Sequence, residues 1–334
     1  MPPDMSVSLG SLALKNPVVC ASGEWTMTAE DIRAALDAGA AAVVAKSTNE
    51  SEAAKRQLAT AEYAFLDERW RPVDRARAAT LFNRSGLVGE PFEAWVETLA
   101  TVDAYARERD AYVLASLIPA DVDELPDLAR TVEQAGLRWL ELNLGAAHGE
   151  EAAPGAVELA VDAERVEEIV GRVRRAVALP LTVKLPGQGD VLALAVAAFD
   201  AGADSLCLAG RPLAFLPDPD TRRPVLGTFG AVGGGWALPV ALRWVAKARA
   251  RLGRDVPIVA TNGVRGGRDV VRALLAGASA AQLGTVVWTE GPGSLRRTLA
   301  ELSEYLERER ASARELIGQA ADAVVTYEEA GRTA

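Results

Sequence analysis

The sequence is short of the residues that most often carry metals and redox centres. It has one histidine, His148, and two cysteines, Cys20 and Cys207. Two thiols are too few for a cluster held by four thiolates, and no metal site is expected. Both cysteines fall inside apolar, strand-like runs, where a buried reduced thiol is the simplest reading. No apolar run approaches the roughly 20 residues of a membrane span. The opening MPPDMSVSLG has neither the basic nor the apolar region of a secretory signal. An excess of positive charge is missing too: 46 acidic residues face 36 basic ones, a formal net charge of −10. That balance argues against a nucleic-acid partner, which needs a basic face. Together these absences point to a cytoplasmic protein without membrane contact. With 49% hydrophobic and 25% charged residues, the chain has ample material for a large core.

The apolar residues arrive in eight short runs, at 17–22, 41–46, 112–117, 138–143, 179–185, 204–209, 256–261 and 280–285. Each is followed by an amphipathic stretch with legible ends. Thr28 precedes AEDIRAALDAG as an N-cap, and Pro91 opens PFEAWVETLATVDAYARERD, where its missing N–H costs nothing. Further helices are expected over 122–135, 161–177, 189–201, 237–252, 267–276 and 294–309. Strands that are apolar throughout and separated by helices belong to a covered parallel sheet. Eight such units predict an α/β fold, a (β/α)8 TIM barrel. Residues 1–334 are expected to form a single domain. Longer insertions at 47–90 and 209–235 are expected to carry short strands or loops over one face. An open dinucleotide-binding sheet is the alternative, but ASGEWTMT after the first run lacks the G-x-G-x-x-G fingerprint.

A barrel of this kind places its chemistry at the C-terminal strand ends. Those ends carry Ser22 and Gly23, Lys46 and Ser47, Asn143, Lys184, Asn262 and Gly263, and Gly284 and Thr285. Small residues after strands seven and eight suit a phosphate. GAVGGGW at 230–236 reads as a flexible glycine loop converging on the same corner, although glycines can also simply turn a chain. Lys46 and Lys184 would either face an anionic or electron-rich ligand or reach out to solvent. Lys184 is also a candidate Schiff-base lysine in a non-redox phosphate-binding barrel.

Several segments together carry a resemblance. NPVVCASGEWTMT, VVAKST, FNRSGLVG, LELNLG, TVKLP, FGAVGGGWALPVAL, TNGVRGGRD and AQLGTVVWTEGP, in this order, resemble the dihydroorotate dehydrogenase family, its soluble cytosolic branch most of all. The resemblance runs from about residue 6 to 318 and implies an FMN-dependent (β/α)8 oxidoreductase, commonly a homodimer. It implies that Ala21, Ser22 and Gly23 lie against the flavin ring, with Lys46, Ser47 and Asn143 beside it. It also implies that Lys184 supplies positive charge near one edge of the ring. Gly233, Gly234, Gly263, Gly284 and Thr285 match the family's phosphate-binding loops. Asn83, Arg84, Gly86, Leu87 and His148 match the substrate-facing segments. Asn143 and Lys46 join His148 as the expected catalytic group.

The resemblance weakens on the substrate side. The family's strand-four motif reads roughly Asn-Leu-Ser-Cys-Pro-Asn, whereas this chain reads Asn143-Leu144-Gly145-Ala146-Ala147-His148. A methyl group stands at position 146, where the family places its catalytic base. LCLAGRP after strand six has no asparagine, where the family has an Asn-Ser or Asn-Thr pair. Arg84 replaces a small residue and could pair with an acidic substrate. His148 is either a replacement acid or base or an ordinary loop side chain. The expected activity is hydride transfer between a small polar substrate other than dihydroorotate and flavin N5. A genuine dihydroorotate dehydrogenase with a displaced base is the alternative.

Overall fold

The structure is a computed structural model that describes residues 2–145 and 162–330. Eight parallel strands close a barrel: β1 (Val18–Cys20), β2 (Ala42–Val44), β3 (Tyr112–Leu117), β4 (Leu140–Asn143), β5 (Leu181–Lys184), β6 (Ser205–Leu208), β7 (Ile258–Ala260) and β8 (Ala280–Leu283). Neighbours pair in chain order, and β8 closes on β1 with Leu283 opposite Cys20. All eight lie in the eight apolar runs of the sequence. These strands are buried on both faces, one against the barrel interior and the other against helices, although LELN and LTVK alternate apolar with polar residues.

Helices occupy the expected stretches. Thr28 accepts a hydrogen bond from the Asp31 amide and starts the helix Ala29–Asp37. Pro91 stands immediately before the helix Phe92–Arg107, and the last long helix runs Gly293–Glu309. Several small elements among the described residues have no counterpart in the sequence reading, the helix Glu52–Gln57 among them. Val7–Leu9 and Leu12–Leu14 form an antiparallel hairpin, and Thr285–Glu290 makes a short helix directly after β8. Runs of three residues leave too little periodicity to read.

The barrel interior is layered. Residues two apart on a strand share a face, so Trp139, Glu141 and Asn143 climb one wall toward the mouth. Low in the barrel, Trp139 Nε1 donates to Thr182 Oγ1 at 2.8 Å, and Thr182 meets Ser205 at 2.6 Å. Above them lies a polar layer built around Glu141, which is fully buried.

The two insertions come together over the mouth. Glu62–Leu66 and Thr80–Arg84 come from the first; Leu213–Ala214 and Gly230–Gly234 come from the second. They form one antiparallel four-stranded sheet in the order Leu213–Ala214, Gly230–Gly234, Thr80–Arg84, Glu62–Leu66. The stretch expected to be a flexible glycine loop is therefore a buried central strand for five residues, followed by a 3-10 turn that leads into the helix Leu238–Leu252. Close packing explains why glycine persists there: a Cβ on Gly234 would sit 2.4 Å from the carbonyl oxygen of Ala79. Leu66, Phe82, Leu226 and Val232 form a separate small core under this sheet.

Candidate active site

The strand ends and the inter-insertion sheet enclose a cavity of about 630 Å³. Ala21, Ser22, Gly23, Lys46, Ser47, Gly86, Leu87, Asn143, Lys184, Gly234, Gly263, Gly284 and Thr285 all line it. Gly233, Asn83 and Arg84 do not. Gly233 backs the wall, with the site of a Cβ 2.8 Å from Arg211 Cδ and 3.1 Å from Asn262 Oδ1. Arg84 turns to the outer edge, where its Nη2 donates to Glu62 Oε2 at 2.8 Å. The two residues are direct cross-strand partners. His148, and Ala146 beside it, lie outside the described residues.

The floor is a connected polar network. Lys184 Nζ donates to Gln282 Oε1 at 3.0 Å and stands 3.8 Å from Glu141 Oε1. Gln282 Nε2 donates to Glu141 Oε2 at 2.8 Å, and Ser116 Oγ donates to Glu141 Oε1 at 3.1 Å. Ser116 also meets Ser47 at 2.9 Å, Ser47 meets Ser22 at 3.3 Å, and Asn143 Nδ2 donates to Ser47 Oγ at 3.4 Å. Four strands, with the segments that follow β1 and β2, thus contribute to one chain of hydrogen bonds that ends at the cavity surface. The network gives the buried Glu141 side chain a partner on both carboxyl oxygens.

Lys46 has a partner that the sequence reading missed. Its Nζ donates to Glu24 Oε1 at 2.8 Å and to Ser85 Oγ at 3.1 Å. Tyr63 OH donates to the same Glu24 oxygen at 3.1 Å, and Ser85 Oγ also donates to it. The lysine and glutamate side chains are only 8% and 12% exposed. Burial pushes the Glu24 carboxyl up. The charge of Lys46, with hydrogen bonds from Lys46 and Ser85, outweighs burial and holds the group down at about 2. Burial, then the negative charge of Glu24, pushes the Tyr63 hydroxyl up to about 12. Lys46 therefore spends its charge inside the protein rather than presenting it whole to a ligand.

Arg211, directly after β6, is the second residue that sequence reasoning passed over. It lines the cavity, and its Nη1 donates to Asn83 Oδ1. The available signals were short: a carboxylate in ASGEW at the end of β1, a glutamate amid the apolar LELN, and an arginine in LAGRP. Each is a charge where a barrel strand or its mouth would bury it.

Gly234, Gly263, Gly284 and Thr285 also line the cavity, as does Arg265, whose guanidinium is held at 3.1 Å by Asp269 and whose Cδ would lie 2.7 Å from a Cβ on Gly235. Gly263 has φ of +89°, and a Cβ there would lie 2.4 Å from the Leu238 nitrogen. Only glycine fits both constraints. Backbone exposed by glycines next to a cation suits a phosphate. The cavity volume falls within the range of cofactor sites, and the ammonium of Lys184 sits on its floor. The residues present therefore fit FMN. Cys20 and Cys207 are fully buried, and burial pushes both thiols up, as expected of packed core cysteines. No helix among the described residues is long and apolar enough to cross a membrane.

Comparison with known proteins agrees with this geometry. The dihydroorotate dehydrogenase family model matches residues 5–306. A protein of Pyrococcus abyssi named dihydroorotate dehydrogenase B (NAD(+)), catalytic subunit, is 31% identical over 321 residues, covering 95% of this chain and 99% of that protein. Its namesake in Pyrococcus furiosus is 30% identical over 322 residues, covering 95% and 98%. The Thermoplasma acidophilum protein of that name is 28% identical over 309 residues, covering 92% and 95%. With a family model matched across nearly its whole length and relatives aligned end to end, the chain belongs to the dihydroorotate dehydrogenase family.

Proposed function

We propose that the chain is an FMN-dependent oxidoreductase that oxidises or reduces a small, polar, anionic molecule, and that dihydroorotate is not its substrate. The observation that carries the redox reading is Lys184, a lysine fixed by Gln282 and Glu141 on the floor of a cavity whose far corner is built for a phosphate. FMN, when bound, supplies a two-electron hydride acceptor.

The chain's own residues have separable parts in this scheme. Gly234, Gly263, Gly284 and Thr285, with Arg265, bind the phosphate. Ala21, Ser22, Gly23 and Ser47 form a close wall for a flat ring. Lys184 places positive charge where electron density increases during reduction, an interaction that strengthens toward the transition state. Lys184 Nζ is engaged by Gln282 Oε1 at 3.0 Å, which opposes its use as a Schiff-base nucleophile. Lys46 and Asn143 orient the substrate, and His148 is the titratable group assigned to its proton. Gly86 and Leu87 close the substrate side.

The departure from dihydroorotate rests on three positions. Ala146 has no atom that can take a proton. Asn83 gives its side-chain oxygen to Arg211. No asparagine follows β6, where Arg211 stands instead. The second reading, a dihydroorotate dehydrogenase with a displaced base, is favoured by the names of the relatives. We further propose a single-domain, cytoplasmic homodimer, which light scattering at micromolar concentration would test.

One preparation tests both readings. Purified protein should be yellow and release FMN on denaturation, and dihydroorotate should bleach the flavin very slowly or not at all. A colourless protein that FMN cannot reconstitute refutes the redox reading. Fast bleaching by dihydroorotate establishes the second reading in place of the first. With the true substrate, His148→Ala should slow flavin reduction by roughly 10²-fold or more; an unchanged rate removes His148 from the mechanism.

A further inference from the structure

Three charged side chains of the cavity lining, Lys46, Glu24 and Arg211, interact with one another, and two of them are already matched. Lys46 is paired with Glu24 at 2.8 Å. Glu24 Oε1 accepts from Lys46, Ser85 and Tyr63. Arg211 is the third. No carboxylate oxygen among the described residues lies within 4.0 Å of its guanidinium. Glu24 and Tyr63 act on it only through longer-range charge. The other arginine that the sequence offered, Arg84, is bound to Glu62 on the outside of the sheet.

We propose that Arg211 is the substrate-selecting residue of this site and receives a planar carboxylate of the substrate. This deepens the function proposed above and rests on it. The guanidinium fork matches a carboxylate with two parallel hydrogen bonds. Charge favours a single anionic group: Lys46, Glu24 and Arg211 together carry one net positive charge, which one carboxylate neutralises. The stem of Arg211 is fixed as a pre-set receptor would be. Its Cδ packs against Gly233, where a Cβ would come within 2.8 Å, and Asn83 holds Nη1. Asn83 Nδ2 is buried and has no hydrogen-bond partner, so the amide is placed for its oxygen, which serves the arginine. Asn83 is then a positioning residue for Arg211. A guanidinium that is partly desolvated without a counter-ion is costly, and a bound carboxylate removes that cost.

Matched acid and amide probes test this directly. Acetate against acetamide, and orotate against its carboxamide, differ in charge and little in shape. Binding is read by tryptophan fluorescence, which responds whether or not flavin is present, and FMN content is measured separately. The natural protein should prefer at least one acid over its amide by roughly 30-fold or more, as expected for a desolvated charge pair. Arg211→Gln should reduce that preference to within about threefold while FMN content is retained. Arg211→Lys, which keeps the charge and loses the fork, should retain only part of it. If Arg211→Gln does not fold, Arg211→Lys decides: a preference cut about tenfold or more supports the proposal, and an unchanged one overturns it. Binding of neither acid to the natural protein, or a preference that survives in Arg211→Gln, also overturns it. Absence of FMN with the acid preference intact would refute the redox reading and leave the carboxylate site standing.

Discussion

Lys46 Nζ and Glu24 Oε1 lie 2.8 Å apart at the rim of the cavity, with side chains 8% and 12% exposed. The pair is buried enough that removing one member leaves the other without its counter-charge. Glu24→Gln should therefore lower stability by about 3 kcal/mol, measured by denaturant unfolding. The pH dependence has a definite sign. Glu24 is held at about 2, below its ordinary 4.5. A carboxyl depressed on folding contributes stability fully above its unfolded value and loses it as pH falls toward the folded one. The natural protein should lose this contribution between about pH 4.5 and 2, and Glu24→Gln should show a shallower acid slope. Identical slopes would detach Glu24 from acid unfolding.

Lys184→Met should leave FMN bound, because the phosphate corner is untouched. It should slow flavin reduction by roughly 10²-fold, the usual loss for one preorganised electrostatic partner, and shift the flavin midpoint potential to more negative values. Spectroelectrochemical titration checks the potential independently of turnover. An unchanged potential would confine Lys184 to a structural part.

Gly263→Ala forces a side chain into positive φ and against the Leu238 nitrogen. The strain should cost about 1–3 kcal/mol, and FMN per chain should fall. Full FMN content together with an unaltered melting temperature would show that this corner tolerates a Cβ and does not hold the phosphate closely.

Arg84→Ala should be nearly silent, within about 0.5 kcal/mol in stability. Its partner Glu62 is 48% exposed, and its own Nε is buried without an acceptor, so truncation removes an unpaired donor along with a weak ion pair. Unfolding curves of the variant and the natural chain should overlay. A large loss of substrate affinity would instead return Arg84 to the cavity.

The barrel was legible because its signal is repeated. Eight apolar runs, each followed by a helix with readable caps, leave few alternatives. The glycine corner and Lys184 were legible for a related reason: strand ends in this fold point at one place, so residue type alone assigns them to the mouth. The glycine stretch at 230–234 was misread because its strand character comes from pairing with Thr80–Arg84, a partner about 150 positions away that propensity cannot register. Shorter separations, 39 positions for Tyr63 and 61 for Ser85, still hid their contacts with Glu24, which form only when the insertion folds over the end of β1. Arg84 shows the converse. It stood in a substrate-facing motif, yet it is taken up by Glu62, its cross-strand partner.

That long-range pairing also orders events in time. Thr80–Arg84 is made early in synthesis, and Gly230–Gly234 follows only after β3 to β6 have been produced. Until then one side of the Thr80–Arg84 strand is an unpaired edge that includes Phe82, a hazard for association with other chains. The cavity wall cannot close before residue 234 leaves the ribosome, so cofactor capture by the nascent chain must wait for about the last third of translation. Chains truncated before that point should be the ones that chaperones hold, since they display a sheet edge with no strand yet made to cover it.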